Sequence, residues 1–428
     1  MELILDTPKN RKKPPYLCFM FYFTRLLFIV LTFALTYSDS SGQSEKLLPF
    51  MQGHLWGYAD REGKTAIRPQ FHDASFFQEG FGRIRLNGLY GFIDDKGNTA
   101  IQALYMAATD FSEGFSLVLD TLNQQYFIDK QGNKAIELPE GIVQAEPFHD
   151  GLAKVSKQLL IKRKGVDEMT LLTGFMNSRG EILINAEYDD ASDFEKGLAT
   201  VVKKGKMGLI DKQGKIVVAI SYDYIGSFSE GLAIFRQKGK YGYIDMAGKK
   251  VIKARFDNVG DFGNGLAPVM MNRLWGYVDT KGALVIKPQY LWAENFCEGM
   301  AGVVMNKKWG FINKAGELKI RTIYEDYAPF CEGLAAVKFK GIWGYTDSNG
   351  TFAVMPTYDI AGSFRDGVTM VETNKEAMYI TPSGHRIISY SIEQQKLMER
   401  KRETYWNKAE MRYEQEYADW KKQQKKKK

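Results

Sequence analysis

Cysteine and histidine are scarce in this sequence, with three cysteines and four histidines among 428 residues. So few cysteines exclude a disulfide-rich scaffold, and the scattered histidines leave no zinc module of the Cys/His type. Proline is also rare, at 12 residues, so the 41 glycines do not indicate a collagen-like or low-complexity chain. Hydrophobic residues make up 44% of the sequence, which excludes disorder as the dominant state.

The body of the chain lacks an excess of charge of either sign. The formal net charge of +7 comes largely from residues 389–428, which hold 12 basic against 7 acidic residues. Residues 46–388 are balanced, with 41 basic against 40 acidic residues. The basic pI reflects the C-terminal tail and gives no evidence for a nucleic-acid-binding surface on residues 46–388. We therefore expect no nucleic-acid partner.

The amino terminus has the order of a secretory signal. Basic residues precede the apolar run Leu26–Leu35, and small polar residues follow it. Ten apolar residues fall short of the roughly 20 that span a bilayer as a helix, and a longer apolar stretch would contain Arg25. Residues 1–44 are therefore predicted to be a signal peptide or an N-terminal anchor, with Met20 as an alternative start. The signal predicts that the mature protein is exported.

Glycine recurs with a period of 34 residues, which indicates tandem repeats. The first glycine column contains Gly57, Gly91, Gly174, Gly208, Gly242, Gly276, Gly310 and Gly344. Two further columns follow in each unit, and the three columns together hold 27 of the 41 glycines. We expect nine to ten units over residues 45–388. An insertion at residues 157–173 is expected to lengthen one loop between strands.

Each unit is predicted to contain about three short antiparallel strands. In one unit, Trp309–Asn313 alternates like a strand, and Asn313–Gly316 has the Asx-first, Gly-fourth signature of a type I turn. Glu317–Tyr324 is the return strand. An irregular segment with an invariant phenylalanine follows, and Leu334–Phe339 alternates again. One unit cannot bury its own apolar face, so neighbouring units must stack. Three fixed glycines per unit disfavour a helical tetratricopeptide array of the same period.

Four units contain a Trp-Gly pair followed by Tyr or Phe, and these pairs resemble the motif of the WG-repeat family. The pairs are Trp56-Gly57, Trp275-Gly276, Trp309-Gly310 and Trp343-Gly344. The resemblance covers about residues 55–388, although Tyr90, Thr173, Met207 and Tyr241 replace the tryptophan in other units. It implies a β-rich bacterial repeat protein that is frequently exported and binds partners.

The fold class is predicted to be all-β, an open solenoid-like array with a C-terminal α-helix. A closed β-propeller is the alternative, but 34 residues is short for a blade and nine or ten blades is a high number. Residues 389–428 are predicted to form a charged helix and a Lys-rich tail. Its aromatic face contains Trp406, Tyr413, Tyr417 and Trp420. This helix either caps the last repeat or contacts a partner or a membrane surface peripherally.

The tryptophans Trp56, Trp275, Trp309 and Trp343 are candidate binding residues. Exposed aromatic planes spaced by one repeat could stack on sugar rings or on side chains of a partner. The alternative is that they fill the core between units. Cys297 and Cys331 hold equivalent positions in consecutive units and could form a disulfide if their Cα atoms lie within about 7 Å, or could be two separate thiols.

No catalytic or metal site is predicted. The histidines share no repeat column; they are His54, His72, His149 and His385. Turn chemistry explains the Asp column without calcium, and the acidic residues before the third glycine are interpreted as solvated turn residues. No phosphate-binding or nucleophile motif is present, so no cofactor is expected.

The sequence therefore predicts a non-enzymatic exported protein that forms a binding or scaffolding surface for envelope proteins. The alternative is a module that binds cell-wall polysaccharide through the tryptophan column. Either partner places the protein in the periplasm or on the outer cell surface of a bacterium.

Overall fold

The computed structural model describes residues 47–163 and 166–393. All regular elements in this part of the chain are β-strands, which form ten small antiparallel sheets. Strands pair in sequence order within each sheet, and no sheet borrows a strand from another. The prediction of an all-β chain of tandem antiparallel units is confirmed. The predicted signal region, residues 1–44, lies outside the described residues.

The first five sheets span residues 48–222 and consist of strands β1 to β19. Sheet 1 contains β1 (Leu48–Gln52), β2 (Leu55–Ala59) and β3 (Thr65–Phe71). Sheet 2 contains β4 (Asp73–Gln78), β5 (Phe81–Leu86), β6 (Leu89–Ile93) and β7 (Thr99–Tyr105). Sheet 3 contains β8 (Ala107–Ala108), β9 (Ser116–Leu119), β10 (Gln125–Ile128) and β11 (Lys134–Glu137). Sheet 4 contains β12 (Ile142–His149), β13 (Leu152–Arg163), β14 (Val166–Asn177) and β15 (Ile182–Tyr188). Sheet 5 contains β16 (Asp190–Ala191), β17 (Leu198–Lys203), β18 (Lys206–Asp211) and β19 (Ile216–Tyr222).

The second five sheets repeat this order. Sheet 6 contains β20 (Tyr224–Ser229), β21 (Leu232–Gln237), β22 (Lys240–Asp245) and β23 (Lys250–Phe256). Sheet 7 contains β24 (Asn258–Val259), β25 (Leu266–Met271), β26 (Leu274–Asp279) and β27 (Leu284–Tyr290). Sheet 8 contains β28 (Trp292–Ala293), β29 (Met300–Met305), β30 (Lys308–Asn313) and β31 (Leu318–Tyr324). Sheet 9 contains β32 (Asp326–Tyr327), β33 (Ala335–Phe339), β34 (Ile342–Thr346) and β35 (Phe352–Tyr358). Sheet 10 contains β36 (Ile360–Ala361), β37 (Thr369–Glu372), β38 (Glu376–Ile380) and β39 (Arg386–Ser391).

Sheets 2 to 10 each have four strands, so the prediction of three strands per unit was one short. The additional strand is the first of each sheet and lies in the segment that was interpreted as irregular. In six sheets it has only two residues, as in β16 and β28. Two residues are too few to show the alternation of apolar and polar side chains by which strands are found in a sequence.

The insertion in the fourth unit extends two strands and does not lengthen a loop, which corrects the prediction. Strands β13 and β14 have 12 residues each and pair without interruption from Leu152↔Asn177 to Arg163↔Val166. The added residues are rich in β-branched and aliphatic side chains, which favour paired strands. On one face of this hairpin, Leu160 and Met169 lie opposite each other and are more than half exposed.

Aromatic pairs join each sheet to the next. The invariant phenylalanine is buried in eight of the nine units that contain it, as predicted. An aromatic ring from the third strand of the preceding sheet, or from β2 in sheet 1, packs against it with centroids 4.7–5.0 Å apart. In sheet 7, for example, Tyr277 packs on Phe296 of sheet 8, and its hydroxyl donates a hydrogen bond to the Glu294 carbonyl at 2.8 Å. These contacts bury the apolar faces that single units expose.

The first and last sheets are in contact, so the sheets form a closed ring. In sheets 2 to 10, the glycine of the turn before the last strand packs on the last strand of the preceding sheet; Gly282, for example, packs on Ile252. Gly63 of sheet 1 packs in the same way on the Ile387 backbone of sheet 10. Trp56 and Tyr390 also lie across this junction, with ring centroids 5.7 Å apart.

The closed ring corresponds to a ten-bladed β-propeller, which was the alternative prediction, and the preferred open array was wrong. Closure buries apolar residues of both ends, including Phe50 and Met51 of β1 together with Tyr390 and Ile392. An open array would leave these side chains in water at both ends, whereas the ring covers them without separate caps.

The array extends slightly further along the chain than predicted. Strand β39 continues to Ser391, three residues beyond the expected boundary at residue 388. The remainder of the predicted C-terminal helix lies outside the described residues, as do Trp406, Tyr413, Tyr417 and Trp420. The structure therefore gives no support to that helix.

Candidate binding surface

The tryptophan column lies at the junctions between sheets and is mostly covered. Trp275 is 4% exposed and packs on Trp292, with ring centroids 5.3 Å apart. Trp309 and Trp343 are half-buried, and Trp309 packs on Tyr327 at 4.6 Å. Trp56 is also half-buried, against Tyr390. The column therefore offers no continuous row of open ring faces to a ligand.

The acidic residues before the third glycine connect neighbouring sheets, in contrast to the expectation that they are simply solvated. The Glu298 carboxylate accepts hydrogen bonds from the backbone N–H groups of Glu332 and Gly333 at 2.7 and 2.8 Å. Glu332 accepts in turn from Gly367 at 2.8 Å. These carboxylates hold the turns of neighbouring sheets together, so their role is structural.

The Asp column is also structural, as predicted. Asp211 shows the arrangement: its Oδ1 accepts from the N–H groups of Gln213 and Lys215 at 3.0 and 2.9 Å, and its carbonyl accepts from Gly214. Gly214 has φ of 76°, which glycine adopts without strain. The carboxylate therefore serves the turn, as the Asx-first pattern predicts.

A stripe of exposed aliphatic side chains crosses five neighbouring sheets and was not predicted. Its members occupy the first two positions of the last strands of sheets 4 to 8 and are 36–52% exposed. We call this set the edge stripe; it contains Leu183, Ile216, Val251, Leu284, Val285 and Leu318. The corresponding positions in sheets 1 to 3 hold Thr65-Ala66, Thr99-Ala100 and Lys134-Ala135. The stripe is therefore a property of one side of the ring and not of the repeat.

The sheets that carry the edge stripe contact one another through their turns and last strands. The glycine before β27, Gly282, has Ile252 of β23 within 3.1 Å of its ideal Cβ position, and the glycine before β31 approaches Ile286 of β27 at 3.4 Å. The Arg255 guanidinium of β23 also donates to the Gly282 carbonyl at 2.6 Å. These contacts hold the stripe-bearing ends of sheets 6 to 8 next to one another.

Positive charge accompanies the edge stripe. Strands β23, β27 and β31 contain six basic residues and no acidic residue. The exposed Lys253, Lys287 and Arg321 hold the same position in these three strands, and none of them forms an ion pair with a described residue. This segregation of charge was not predicted, because basic and acidic residues balance over residues 46–388 as a whole. Only the packing of successive sheets around the ring places these three strands on the same side of the molecule.

Eight segments of the chain match the model of the WG containing repeat. They are residues 56–90, 90–119, 174–206, 207–241, 241–275, 275–309, 309–341 and 343–376. Together they cover more than half of the chain. This protein belongs to the WG-repeat family. The unmatched stretch between residues 119 and 174 contains the long hairpin of the WG-repeat ring, where the unit departs most from the period.

Solved structures resemble the WG-repeat ring only distantly. The WD40 domain of Neurospora crassa Pan2 has 13% identity and a TM-score of 0.29, over 44% of this chain and 74% of that chain. YCF48 bound to D1 peptide has 13% identity and a TM-score of 0.28, over 55% and 91%. The extracellular domain of a hybrid two-component system from B. thetaiotaomicron has 9% identity and a TM-score of 0.25, over 82% and 70%. No curated protein matches this sequence.

Cys297 and Cys331 are free, half-buried thiols in the WG-repeat ring. Ser112 and Ser229 hold the same position in their units, and each hydroxyl donates to the phenylalanine carbonyl of the next sheet at 2.7 Å. Side chains at this position therefore point forward around the ring. We infer that the two thiols point the same way and do not face each other, which disfavours the disulfide.

Burial raises the pKa of the Cys297 and Cys331 thiols, and neighbouring carboxylates of Glu298 and Glu332 add to the rise for Cys331. The thiolate is the reactive form, so at pH 8 we expect slow modification by a disulfide reagent, with a rate that still increases above pH 9. In a Cys18→Ser background, two thiols per chain should react without reductant. A count of zero that rises to two on reduction would show a disulfide instead.

Two further properties of the described residues concern metal ligands and membrane-spanning helices. Within residues 47–163 and 166–393, no group of three or more His, Cys, Asp or Glu side chains is placed to hold a metal ion. Over the same residues, no helix has the length and apolarity needed to cross a bilayer.

Proposed function

We propose that this WG-repeat ring is a non-enzymatic binding platform for a protein of the bacterial envelope, and that the edge stripe is its contact surface. The observation that carries the proposal is the exposure of six aliphatic side chains on the last strands of five neighbouring sheets. Exposed apolar patches with a polar surround are typical of protein interaction sites. The other side of the ring, with Thr and Ala at the same positions, lacks this property.

The charges beside the stripe indicate the chemistry of the partner. Lys287 and Arg321 have no acidic partner among the described residues and lie on strands whose other charges are also basic. A partner that presents apolar side chains surrounded by Asp and Glu would match both features. Such complementary charges increase the rate of association and select among partners more than they add affinity.

The edge stripe can be removed by substituting its residues with the Thr and Ala that sheets 1 and 2 have at the same positions. We expect the variant Leu284→Thr, Val285→Ala and Leu318→Thr to fold normally, because these positions are exposed and sheets 1 and 2 have Thr and Ala there. Partners captured from solubilised envelope by the full chain should be identified by mass spectrometry, purified and titrated. The variant should bind at least about tenfold more weakly, or about 1.4 kcal/mol.

A matched control separates the stripe from exposed apolar area in general. Leu104 and Leu122 are 58% and 77% exposed in sheets 2 and 3, away from the stripe. Replacing both by Thr should leave binding unchanged. Equal binding by the stripe variant and the wild type would refute the proposed surface. The change Lys287→Gln with Arg321→Gln should mainly slow association, and more so at low salt.

Binding of cell-wall polysaccharide through the tryptophan column is the weaker alternative. It requires open ring faces, whereas Trp275 is 4% exposed and the other three rings are half-buried. Sedimentation with purified cell-wall sacculi tests it. Retention at high salt that is lost in a folded Trp309→Ala, Trp343→Ala variant and kept in the stripe variant would favour the polysaccharide.

A further inference from the structure

Sheet 6 also forms an open surface depression of about 390 Å³ with a strongly basic lining of exposed lysines, and it shares Lys253 with the basic residues beside the edge stripe. We call it the lysine pocket; it is lined by Phe235, Gln237, Lys238, Lys240, Lys250, Lys253 and Ala254. The four lysines come from the turn between β21 and β22 and from the two strands β22 and β23. Its floor is apolar, since Phe235 is fully buried.

Most of the positive charge in the lysine pocket is not compensated. Lys240 forms an ion pair with Asp257. The other three lysines form no ion pair with a described residue. Lys250 Nζ donates to Gln237 Oε1 at 2.8 Å and lies 5.4 and 5.5 Å from the ring centroids of Tyr222 and Phe235. These contacts fix one ammonium group near the others without neutralising it, so the field in the cavity favours an anion.

The four lysines of the pocket are, as a set, specific to sheet 6 and are not all conserved at the equivalent positions of neighbouring sheets. The positions of Lys238, Lys240, Lys250 and Lys253 correspond to Lys204, Lys206, Ile216 and Ala219 in sheet 5. In sheet 7 they correspond to Asn272, Leu274, Leu284 and Lys287. Sheets 5 and 7 thus have two and one lysines where sheet 6 has four. Like charges repel, so the four lysines do not stabilise the fold through their mutual proximity.

We propose that the lysine pocket binds a phosphate-bearing ligand, as a free phosphorylated compound or as the headgroup of a lipid. Lysine ammonium groups act as point charges with several donors and suit a phosphate dianion, whereas the pocket lining has no Arg fork for paired contacts with a planar carboxylate. A volume of about 390 Å³ falls within the usual range for small-molecule sites. The proposal does not depend on the edge stripe.

Titration calorimetry with inorganic pyrophosphate tests the site in the full chain. We expect saturable binding that exceeds binding of sulfate at equal ionic strength. The variant Lys250→Gln with Lys253→Gln should weaken it at least about tenfold. The control Lys281→Gln with Lys314→Gln removes the same charge outside the pocket and should change binding by much less. Equal weakening by both variants would show only a general charge effect and would refute the site.

Vesicles distinguish the two sources of phosphate. Sedimentation with phosphatidylcholine vesicles, with and without phosphatidylglycerol, should show retention that depends on Lys250 and Lys253 if the ligand is a headgroup. Pyrophosphate binding without such retention supports a free ligand. Absence of saturable pyrophosphate binding together with absence of pocket-dependent retention would overturn the proposal. Both readouts are independent of partner capture by the edge stripe, so either proposal can fail alone.

Discussion

Replacing Gly276 by alanine should lower the free energy of unfolding by more than about 3 kcal/mol. A Cβ atom at Gly276 would lie 2.4 Å from the Ile286 carbonyl oxygen and 2.6 Å from the Pro288 nitrogen. Both are backbone atoms of β27, which cannot move aside as a flexible side chain can. The pairing of β26 with β27 shifts register at Tyr277, and this bulge brings the β27 backbone across the glycine.

Gly226 provides the matched control. It is also a glycine without positive φ, but the nearest atom to its Cβ position is the Tyr224 hydroxyl oxygen at 3.2 Å, at the end of a mobile side chain. Gly226→Ala should therefore change stability by less than about 1 kcal/mol. Chemical denaturation of both variants checks the comparison. A loss for Gly276→Ala no greater than that for Gly226→Ala would contradict the backbone clash.

This contact gives the Trp-Gly motif a physical cause. The eight glycines of the first column all have a backbone atom of the last strand within 2.4–2.7 Å of the Cβ position. The tryptophan position, in contrast, accepts Tyr90, Thr173, Met207 or Tyr241, because a junction between sheets can be filled by different side chains. In sheets 3 and 10 the strand pairing lacks the register shift at this position, and Tyr126 and Met378 stand in the glycine column. Glycine is therefore required where the bulged last strand crosses it, whereas the tryptophan position is tolerant even in units that keep the glycine.

The sequence was sufficient for the features that are local within one unit. The Asp-first, Gly-fourth turns follow from residue chemistry at four neighbouring positions, and Asp211 and Gly214 adopt the expected geometry. The phenylalanine of the irregular segment was expected to be buried because it recurs in every copy, and it is buried in eight of nine units. Two-residue strands such as β16 were missed, since their pairing depends on a neighbour and not on a pattern.

Features that join distant units could not be derived in the same way. The edge stripe becomes visible only when Val251, Leu284 and Leu318 are placed on the last strands of successive sheets, and each alone is an ordinary exposed aliphatic residue. The balance of charge over the body concealed the lysine pocket for the same reason. Closure of the ring depends on β1 and β39, whose contacts lie more than 300 residues apart and carry no repeat signal.

Because the ring is closed, a substitution in sheet 1 should also destabilise sheet 10. Phe50 is 5% exposed and packs in one cluster with Tyr390 of β39 and with Ile392, which directly follows that strand. Truncation of a buried phenylalanine costs about 3–5 kcal/mol, and we expect this loss for Phe50→Ala. In hydrogen exchange, β1 and β39 should both lose protection, because the cavity lies between them.

The equivalent change at Phe235 is the control, since this residue holds the same position in sheet 6 and is fully buried. Phe235→Ala should cost a similar free energy but should increase exchange in sheets 5 and 6, with β1 and β39 unchanged. An open array would respond differently to Phe50→Ala: sheet 1 would fray alone, and residues 376–391 would keep their protection. Increased exchange confined to residues 48–71 would therefore refute the closed ring.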